Sequence, residues 1–161
     1  CLYDVLGTKP DPAGRPNQLL ALSLGPRLPR EREEMVLRKV WRELLTPYGL
    51  RSLSPRDPRY RGRYEGDQRQ RDMAYHQGTV WPWLMGPFTT AYLRLHPDGR
   101  DIAERYILEP FLSHLREGGV GYISEIFDGD GPHQARGCIA QAWSVGEMIR
   151  AYFEDIKGAR R

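Results

Sequence analysis

Apolar residues recur with a helical period in several stretches of this chain, and long glycine-containing stretches separate them. In residues 30–46 the apolar side chains follow the i, i+3, i+4 spacing of an amphipathic helix, which Pro47 and Gly49 end. The same pattern predicts helices over residues 100–116 and 135–156. Asn17 as an N-cap predicts a helix over residues 18–24, which Gly25 and Pro26 end, and Pro82 in a first helical turn predicts one over residues 82–96. The sequence therefore predicts an all-α chain.

The segments between these helices are unusually long. Residues 48–80 contain four Gly and two Pro and show no helical period, and residues 118–132 form a second glycine-rich segment. More than thirty residues without regular structure are uncommon in a compact domain unless they have a function. Because loops held by a rigid scaffold often carry chemistry, we expect the functional residues there.

Length and composition indicate one globular domain over residues 1–161. The chain is 40% hydrophobic, and no run approaches the roughly 20 apolar residues that a membrane span needs. Its start has no secretory signal, and because it also lacks Met we expect a processed or excised piece. Cys1 and Cys138 are too few for a disulfide framework, which favours a compartment that keeps thiols reduced, so we expect a cytoplasmic protein. Cys138 is expected as a buried thiol in a helix.

The basic residues are mostly arginine, with 21 Arg against 3 Lys. Residues 56–71 are especially rich in Arg and include Tyr60 and Tyr64, a composition that also occurs in modules binding single-stranded nucleic acid. Asp57 and Glu65 make the charge of this segment mixed, and a general preference for Arg over Lys explains the composition more simply. We therefore predict no nucleic-acid partner and no membrane partner.

The densest group of aromatic and hydrogen-bonding residues lies in residues 71–83, which read RDMAYHQGTVWPW. Its polar and aromatic members are Tyr75, His76, Gln77, Trp81 and Trp83. Tyr and Trp offer flat apolar faces with polar edges that need partners, and sugars present a matching apolar face and hydroxyl rim. By residue types alone, an aromatic helix entry that only packs is an equally good interpretation.

Glu125 is the carboxylate of the second loop with the most apolar neighbours. Ile123, Ile126 and Phe127 flank it, and apolar surroundings raise the pKa of a carboxyl group. Carboxylates tuned in this way act as general acids and bases. Composition alone favours a surface or helix-capping Glu over a catalytic one.

Other catalytic and ligand-binding motifs are absent from the sequence. A calcium loop starting at Asp128 fails because its twelfth position is Ile139, where a bidentate Glu is required. The four His residues do not form an HExxH motif, and CxxC, GxSxG, GxxxxGKS and GxGxxG motifs are missing. We therefore predict neither a metal site nor a cofactor.

Four motifs together resemble one known family. They are RPNQ at residues 15–18, PYGLRSLSP at 47–55, YHQGTVWPW at 75–83, and SEIFDGD…RGCIAQAWSV at 124–145. In this order they resemble the C-terminal part of the amylo-α-1,6-glucosidase domain of glycogen debranching enzymes. The resemblance covers nearly the whole chain, and four separate motifs make it specific.

The resemblance implies an (α/α)₆ toroid of twelve helices with the sugar site in loops at one end. This chain would supply about the last five helices. The implied reaction is inverting hydrolysis of α-1,6-linked glucose at branch points of glycogen or limit dextrin. The resemblance assigns the general base to Glu125, whereas the general acid is an Asp expected upstream that no residue here matches.

Residue chemistry then suggests which side chains bind the sugar. Flat faces for the ring would come from Tyr75, Trp81 and Trp83, and hydrogen bonds to hydroxyls from Arg51, His76 and Gln77. A related toroid that cleaves trehalose or oligosaccharides is an alternative with similar motifs. The chain alone is expected to be inactive and to self-associate through apolar flanks on its first and last helices.

Overall fold

The computed structural model describes residues 2–24 and 28–158, so the predicted stop at Gly25 and Pro26 lies outside the described residues. The described chain is rich in helix. Its α-helices are α1 (Gln18–Ser23), α2 (Arg30–Glu43), α3 (Gln68–Ala74), α4 (Met85–Leu95), α5 (Arg100–Ala103), α6 (Glu109–His114) and α7 (Ala142–Arg150). None of the described helices is both long and apolar enough to cross a membrane.

Most of the predicted helices are confirmed, with changes at their ends. The helix predicted over residues 82–96 begins as a 3₁₀ turn, Pro82–Leu84, and continues as α4. The helix predicted over residues 100–116 is interrupted, because a π-helical turn, Glu104–Leu108, joins α5 to α6. A second π-helical turn, Ala151–Ile156, extends α7.

A small antiparallel sheet corrects the all-α prediction. Its five strands are β1 (Leu45–Thr46), β2 (Gly49–Arg51), β3 (Val80–Trp81), β4 (Ile126–Phe127) and β5 (Ala135–Arg136), and they pair in that order. Strands of two or three residues are too short to show the alternating pattern by which a strand is recognised. The pairings of β2 with β3 and of β3 with β4 also depend on contacts between distant parts of the chain.

Helix α3 lies inside the segment that was predicted to be irregular. Its N-cap is Asp67, whose side chain accepts a hydrogen bond from the Gln70 amide, while the Gln70 side chain accepts one from the Asp67 amide. This reciprocal arrangement is a capping box. The helix buries only Ala74, so it lacks the apolar stripe on which the prediction depended.

The last helix starts later than predicted, which also corrects the environment of Cys138. Helix α7 begins at Ala142, and β5 and an irregular stretch occupy residues 135–141. Cys138 is an exposed free thiol outside any helix, and not a buried helical one. Gly137, beside it, has a φ of 68°, which a continuous α-helix does not allow.

The core surrounds α4, which packs against α1, α2 and α7. Phe88 and Met85 of α4 are fully buried, and α1 buries Leu19 and Leu22. Elsewhere the predicted apolar stripes are partly exposed. The large apolar side chains exposed on the last two predicted helices are Ile102, Tyr106, Leu112, Ile139, Trp143, Ile149 and Phe153. Leu112, Ile149 and Phe153 line an open apolar groove between α6 and α7, with a volume of about 370 Å³.

Candidate active site

The sheet brings the aromatic segment and the second loop together. Val80 of β3 lies opposite Phe127 of β4 on one side and opposite Arg51 of β2 on the other. The turn that precedes β3 carries Tyr75, and the residue that precedes β4 is Glu125. The pairing of β3 with β4 therefore places these two side chains next to each other, although they are fifty residues apart.

Both carboxylate oxygens of Glu125 accept a hydrogen bond. The Tyr75 hydroxyl donates to Oε1, and the Cys138 backbone amide donates to Oε2 over 2.9 Å. The Glu125 amide in turn donates to the Cys138 carbonyl over 2.9 Å, so the backbone and the side chain are held by the same residue. The half-buried carboxylate is thus fixed in one orientation.

The pKa of Glu125 lies below the ordinary carboxyl value, which corrects the prediction that its apolar neighbours raise it. Burial does raise the pKa, but hydrogen bonds from the Tyr75 hydroxyl and from Cys138 outweigh burial and lower it. Donors that bind a carboxylate stabilise its charged form. Glu125 is therefore ionised at neutral pH, which is the state that a general base requires.

Four of the predicted sugar-binding residues line a cleft of about 440 Å³: His76, Gln77, Trp81 and Trp83. Glu125 and Tyr75 do not line it, and Tyr75 reaches it through its contact with Trp81. The Tyr75 ring meets the Trp81 ring edge to face at 4.9 Å between centroids. The His76 ring stacks on Trp81 at 5.3 Å, with the ring planes 10° apart. The structure thus gathers the predicted members of residues 71–83 in one place, and Tyr75 connects them to Glu125.

Burial of the His76 ring lowers its pKa, and the nearby positive charge of Arg15 lowers it further. The imidazole is therefore neutral at pH 7, and it offers both a donor and an acceptor nitrogen. A neutral ring next to Trp81 suits recognition of uncharged hydroxyl groups.

Arg51 is the predicted site residue that the structure places elsewhere. Its Nε donates to the Gly129 carbonyl over 2.8 Å, and its Nη1 lies 3.4 Å from the carbonyls of Glu43 and Leu45. Arg51 does not line the cleft. Its guanidinium instead ties the second loop to the end of α2.

Two residues at the cleft were missed in the sequence. Trp143 of α7 is half exposed, and its ring stacks against Trp83 at 5.3 Å and meets Trp81 edge to face at 6.1 Å. Arg15 lines the cleft from the N-terminal loop. Both lie in motifs that carry the family resemblance, so the motifs gave a signal for them that residue chemistry alone did not.

Gly78 gives the turn before β3 its shape. Its φ is 149°, and a Cβ atom at this position would overlap the carbonyl of Arg61 and the ring of Tyr60. Its amide donates to the Ser52 hydroxyl over 2.9 Å. Glycine is thus the residue that allows the preceding His76 and Gln77 to face the cleft.

Other parts of the surface lack the predicted site residues. A wider depression of about 710 Å³ is lined by residues 9–14, 54 and 56–59 with parts of α2, and none of the predicted site residues lines it. Three arginines of residues 56–71 lie within 4.0 Å of acids, namely Arg56, Arg59 and Arg63, and Arg59 binds Asp57 and Asp11 over 2.8–2.9 Å. Among the described residues there is no group of three or more His, Cys, Asp or Glu side chains arranged to hold a metal.

Replacing Tyr75 with Phe tests the cause of the lowered pKa. The variant loses the hydroxyl donor while Glu125 stays partly buried, so the pKa of Glu125 should rise. For the general base that the resemblance implies at Glu125, which works only when it is ionised, the acidic limb of the kcat/KM profile should then shift to higher pH. Tyr60→Phe is the control, since it also removes a hydroxyl bound to a carboxylate, that of Asp130. An unchanged acidic limb in Tyr75→Phe would contradict the assignment.

Comparison with known proteins gives two findings. The family described as amylo-alpha-1,6-glucosidase matches residues 1–150. The glycogen debranching enzyme of Saccharomyces cerevisiae is 34% identical over 89 residues. That alignment covers 51% of this chain and 6% of the yeast protein. The chain therefore corresponds to a small part of this relative.

Proposed function

Because the chain belongs to the amylo-alpha-1,6-glucosidase family, we propose that it supplies the general base and part of the sugar-binding site of a glycoside hydrolase. The substrate is α-1,6-linked glucose at the branch points of an α-glucan such as glycogen or limit dextrin. The observation that carries this proposal is Glu125, ionised, held by Tyr75 and Cys138, and linked through Tyr75 to Trp81 of the aromatic cleft.

The proposed reaction inverts the configuration at the anomeric carbon. The Glu125 carboxylate takes a proton from a water molecule as the water oxygen attacks the anomeric carbon, and the bond to the leaving glucan oxygen breaks. A carboxylic acid on the opposite face protonates that oxygen. In this mechanism the two carboxyl groups stand roughly 6.5–9.5 Å apart, which leaves room for the water molecule.

Asp4 at the cleft and Asp128 in the second loop are both bound to other groups, which supports a general acid from outside the described residues. Asp4 lines the cleft, but its oxygens are bound to Arg15 and to Asn17. Asp128 is fully buried and accepts hydrogen bonds from Arg136. Carboxylates committed to such partners are poor proton donors. We infer that an upstream Asp completes the catalytic pair in the native protein.

Trp143 of α7 adds an aromatic ring that residues 71–83 alone did not reveal. It stacks on Trp83 and continues the aromatic wall formed by Tyr75 and Trp81. A glucose ring bound close to Glu125 would lie against Trp81, and a neighbouring residue of the glucan against Trp143. Arg51 has no direct part in this arrangement.

Product analysis of the native protein tests the proposed function. We expect release of free glucose from limit dextrin with the β configuration, because inversion of an α linkage yields the β anomer. Trehalose and short linear maltosides should be poor substrates. Hydrolysis of trehalose or linear oligosaccharides in preference to limit dextrin would favour a related glycosidase and overturn the assignment.

The isolated 161-residue chain is expected to be inactive and to self-associate. It lacks an assigned general acid. The apolar flank predicted on the first helix is not exposed in α1, because Leu19 and Leu22 are fully buried, whereas Leu112 and Phe153 are 60% and 54% exposed in the apolar groove between α6 and α7. Exposed apolar surface of this kind favours association. In a complete toroid the remaining helices would cover such a face.

Sedimentation of the purified chain measures its self-association. Leu112→Glu and Phe153→Glu are the variants to compare. The variants should shift the protein toward monomer by placing charge in the groove. A monomer of the unmodified chain at high concentration would contradict the association, and glucose release by the isolated chain would contradict the inactivity.

A further inference from the structure

Arg15 makes polar contacts with four separate residues around the cleft. Its Nε lies 3.2 Å from an oxygen of Asp4, and its Nη1 donates to the carbonyls of His76 over 2.7 Å and of Ser52 over 3.1 Å. Its Nη2 donates to Oε1 of Gln77 over 2.8 Å. Only 15% of the Arg15 side chain is exposed. The guanidinium is thus held from several sides beneath the turn that forms one wall of the cleft.

The backbone around Arg15 is fixed as well. The Gly14 carbonyl accepts a hydrogen bond from the Ser54 amide over 2.8 Å, and the Arg15 carbonyl accepts one from the Gln18 side chain over 2.9 Å. A Cβ atom on Gly14 would lie 3.0 Å from that of Ser54, so the loop packs closely on the segment after β2. Arg15 therefore enters the site from a rigid position.

The chemistry of the Arg15–Gln77 contact determines what Gln77 offers to a ligand. A guanidinium group has N–H donors and no acceptor, so the amide of Gln77 must turn its carbonyl oxygen toward Arg15. The two N–H groups of that amide are then left as donors at the cleft wall. A freely rotating Gln would present a donor or an acceptor with similar ease.

We propose that Arg15 is a positioning residue that fixes the Gln77 amide as a hydrogen-bond donor to a substrate hydroxyl oxygen and holds the His76 turn against Trp81. This inference rests on the proposed function, because it concerns recognition of the same sugar. The polar contacts of Arg15 do not include Glu125, so its contribution is to substrate binding and not to proton transfer. Lysine would keep the charge at this position without the planar fork that reaches four acceptors.

A double-mutant cycle on the native protein tests this proposal. The variants are Arg15→Gln, Gln77→Ala and the double variant, and the readouts are KM and kcat for glucose release from limit dextrin. We expect each single change to raise KM about tenfold, with kcat changed by less than about threefold. The double variant should resemble Arg15→Gln alone, because Gln77 is already disoriented when Arg15 is absent. Arg15→Lys should recover part of the loss at most.

Arg59→Gln is the matched control. Arg59 also anchors the N-terminal loop with several hydrogen bonds, to Asp11 and Asp57, but it does not line the cleft. The Arg59→Gln variant should lower the thermal midpoint of unfolding without raising KM. If Arg15→Gln does not fold, the same cycle is run with Arg15→Lys.

Two outcomes would overturn the proposal. In the first, the increase in KM of the double variant equals the product of the increases in the two single variants. In the second, Arg15→Gln lowers thermal stability, as the control does, and leaves KM unchanged. Failure of the proposed function is recognised separately, because the unmodified native protein would then release no glucose from limit dextrin.

Discussion

Replacing Glu125 with Gln in the native protein should lower kcat for glucose release by about 1,000-fold or more, with KM changed little. The new amide cannot take a proton from water, whereas its size and position preserve most contacts with the sugar. It also places an N–H group toward one of the two donors that Glu125 now binds, Tyr75 or Cys138. A small local rotation should follow, without loss of the fold. Steady-state kinetics on limit dextrin measures the effect.

Glu65→Gln is the control for this substitution. Glu65 is an exposed acid shortly before α3, and its ion pair with Arg136 is long, at 3.8 Å. The substitution should leave kcat unchanged. A fall in kcat of less than about tenfold in Glu125→Gln, or ~1.4 kcal/mol in the barrier, would reject the assignment of the base.

The sequence predicted the parts of the structure in which local pattern and tertiary packing agree. Helix α2 has a clear apolar stripe, and Val36 and Val40 on its buried face are among the residues that the spacing indicated. The 3₁₀ turn that leads into α4 begins at Pro82, the residue that predicted it. The aromatic segment was singled out as a candidate site because its residue types are unusual for either a core or a loop. Four of its members line one cleft.

The remaining features depend on interactions that the local pattern does not contain. The raised pKa predicted for Glu125 considered only its apolar neighbours in sequence, while Tyr75, fifty residues away, supplies the donor that helps reverse the shift. Arg51 looked suitable for sugar hydroxyls by charge alone, but the fold directs it to the Gly129 carbonyl. The stripe predicted for the last helix included Cys138, because the glycine at position 137 was not recognised as a helix breaker.

Replacing Gly137 with Ala should lower kcat by about 100-fold, because the new methyl group would overlap Oε2 of Glu125. The carboxylate is the flexible end of a side chain, so it would move rather than the backbone. It would then lose its alignment with the Tyr75 hydroxyl and the Cys138 amide. A displacement of about 1 Å is enough to misplace the water that the base activates.

Gly121→Ala separates this effect from backbone strain. Gly121 also has a positive φ, 83° against 68° for Gly137, but a Cβ atom there would meet nothing within 4 Å. Both variants should lose roughly 1–2 kcal/mol of stability, the cost of a left-handed conformation for a residue with a side chain. Only Gly137→Ala should lose activity, and its KM should change less than its kcat. Equal kcat values for the two variants, measured well below their thermal midpoints, would mean that the position of Glu125 does not depend on the space that Gly137 leaves open.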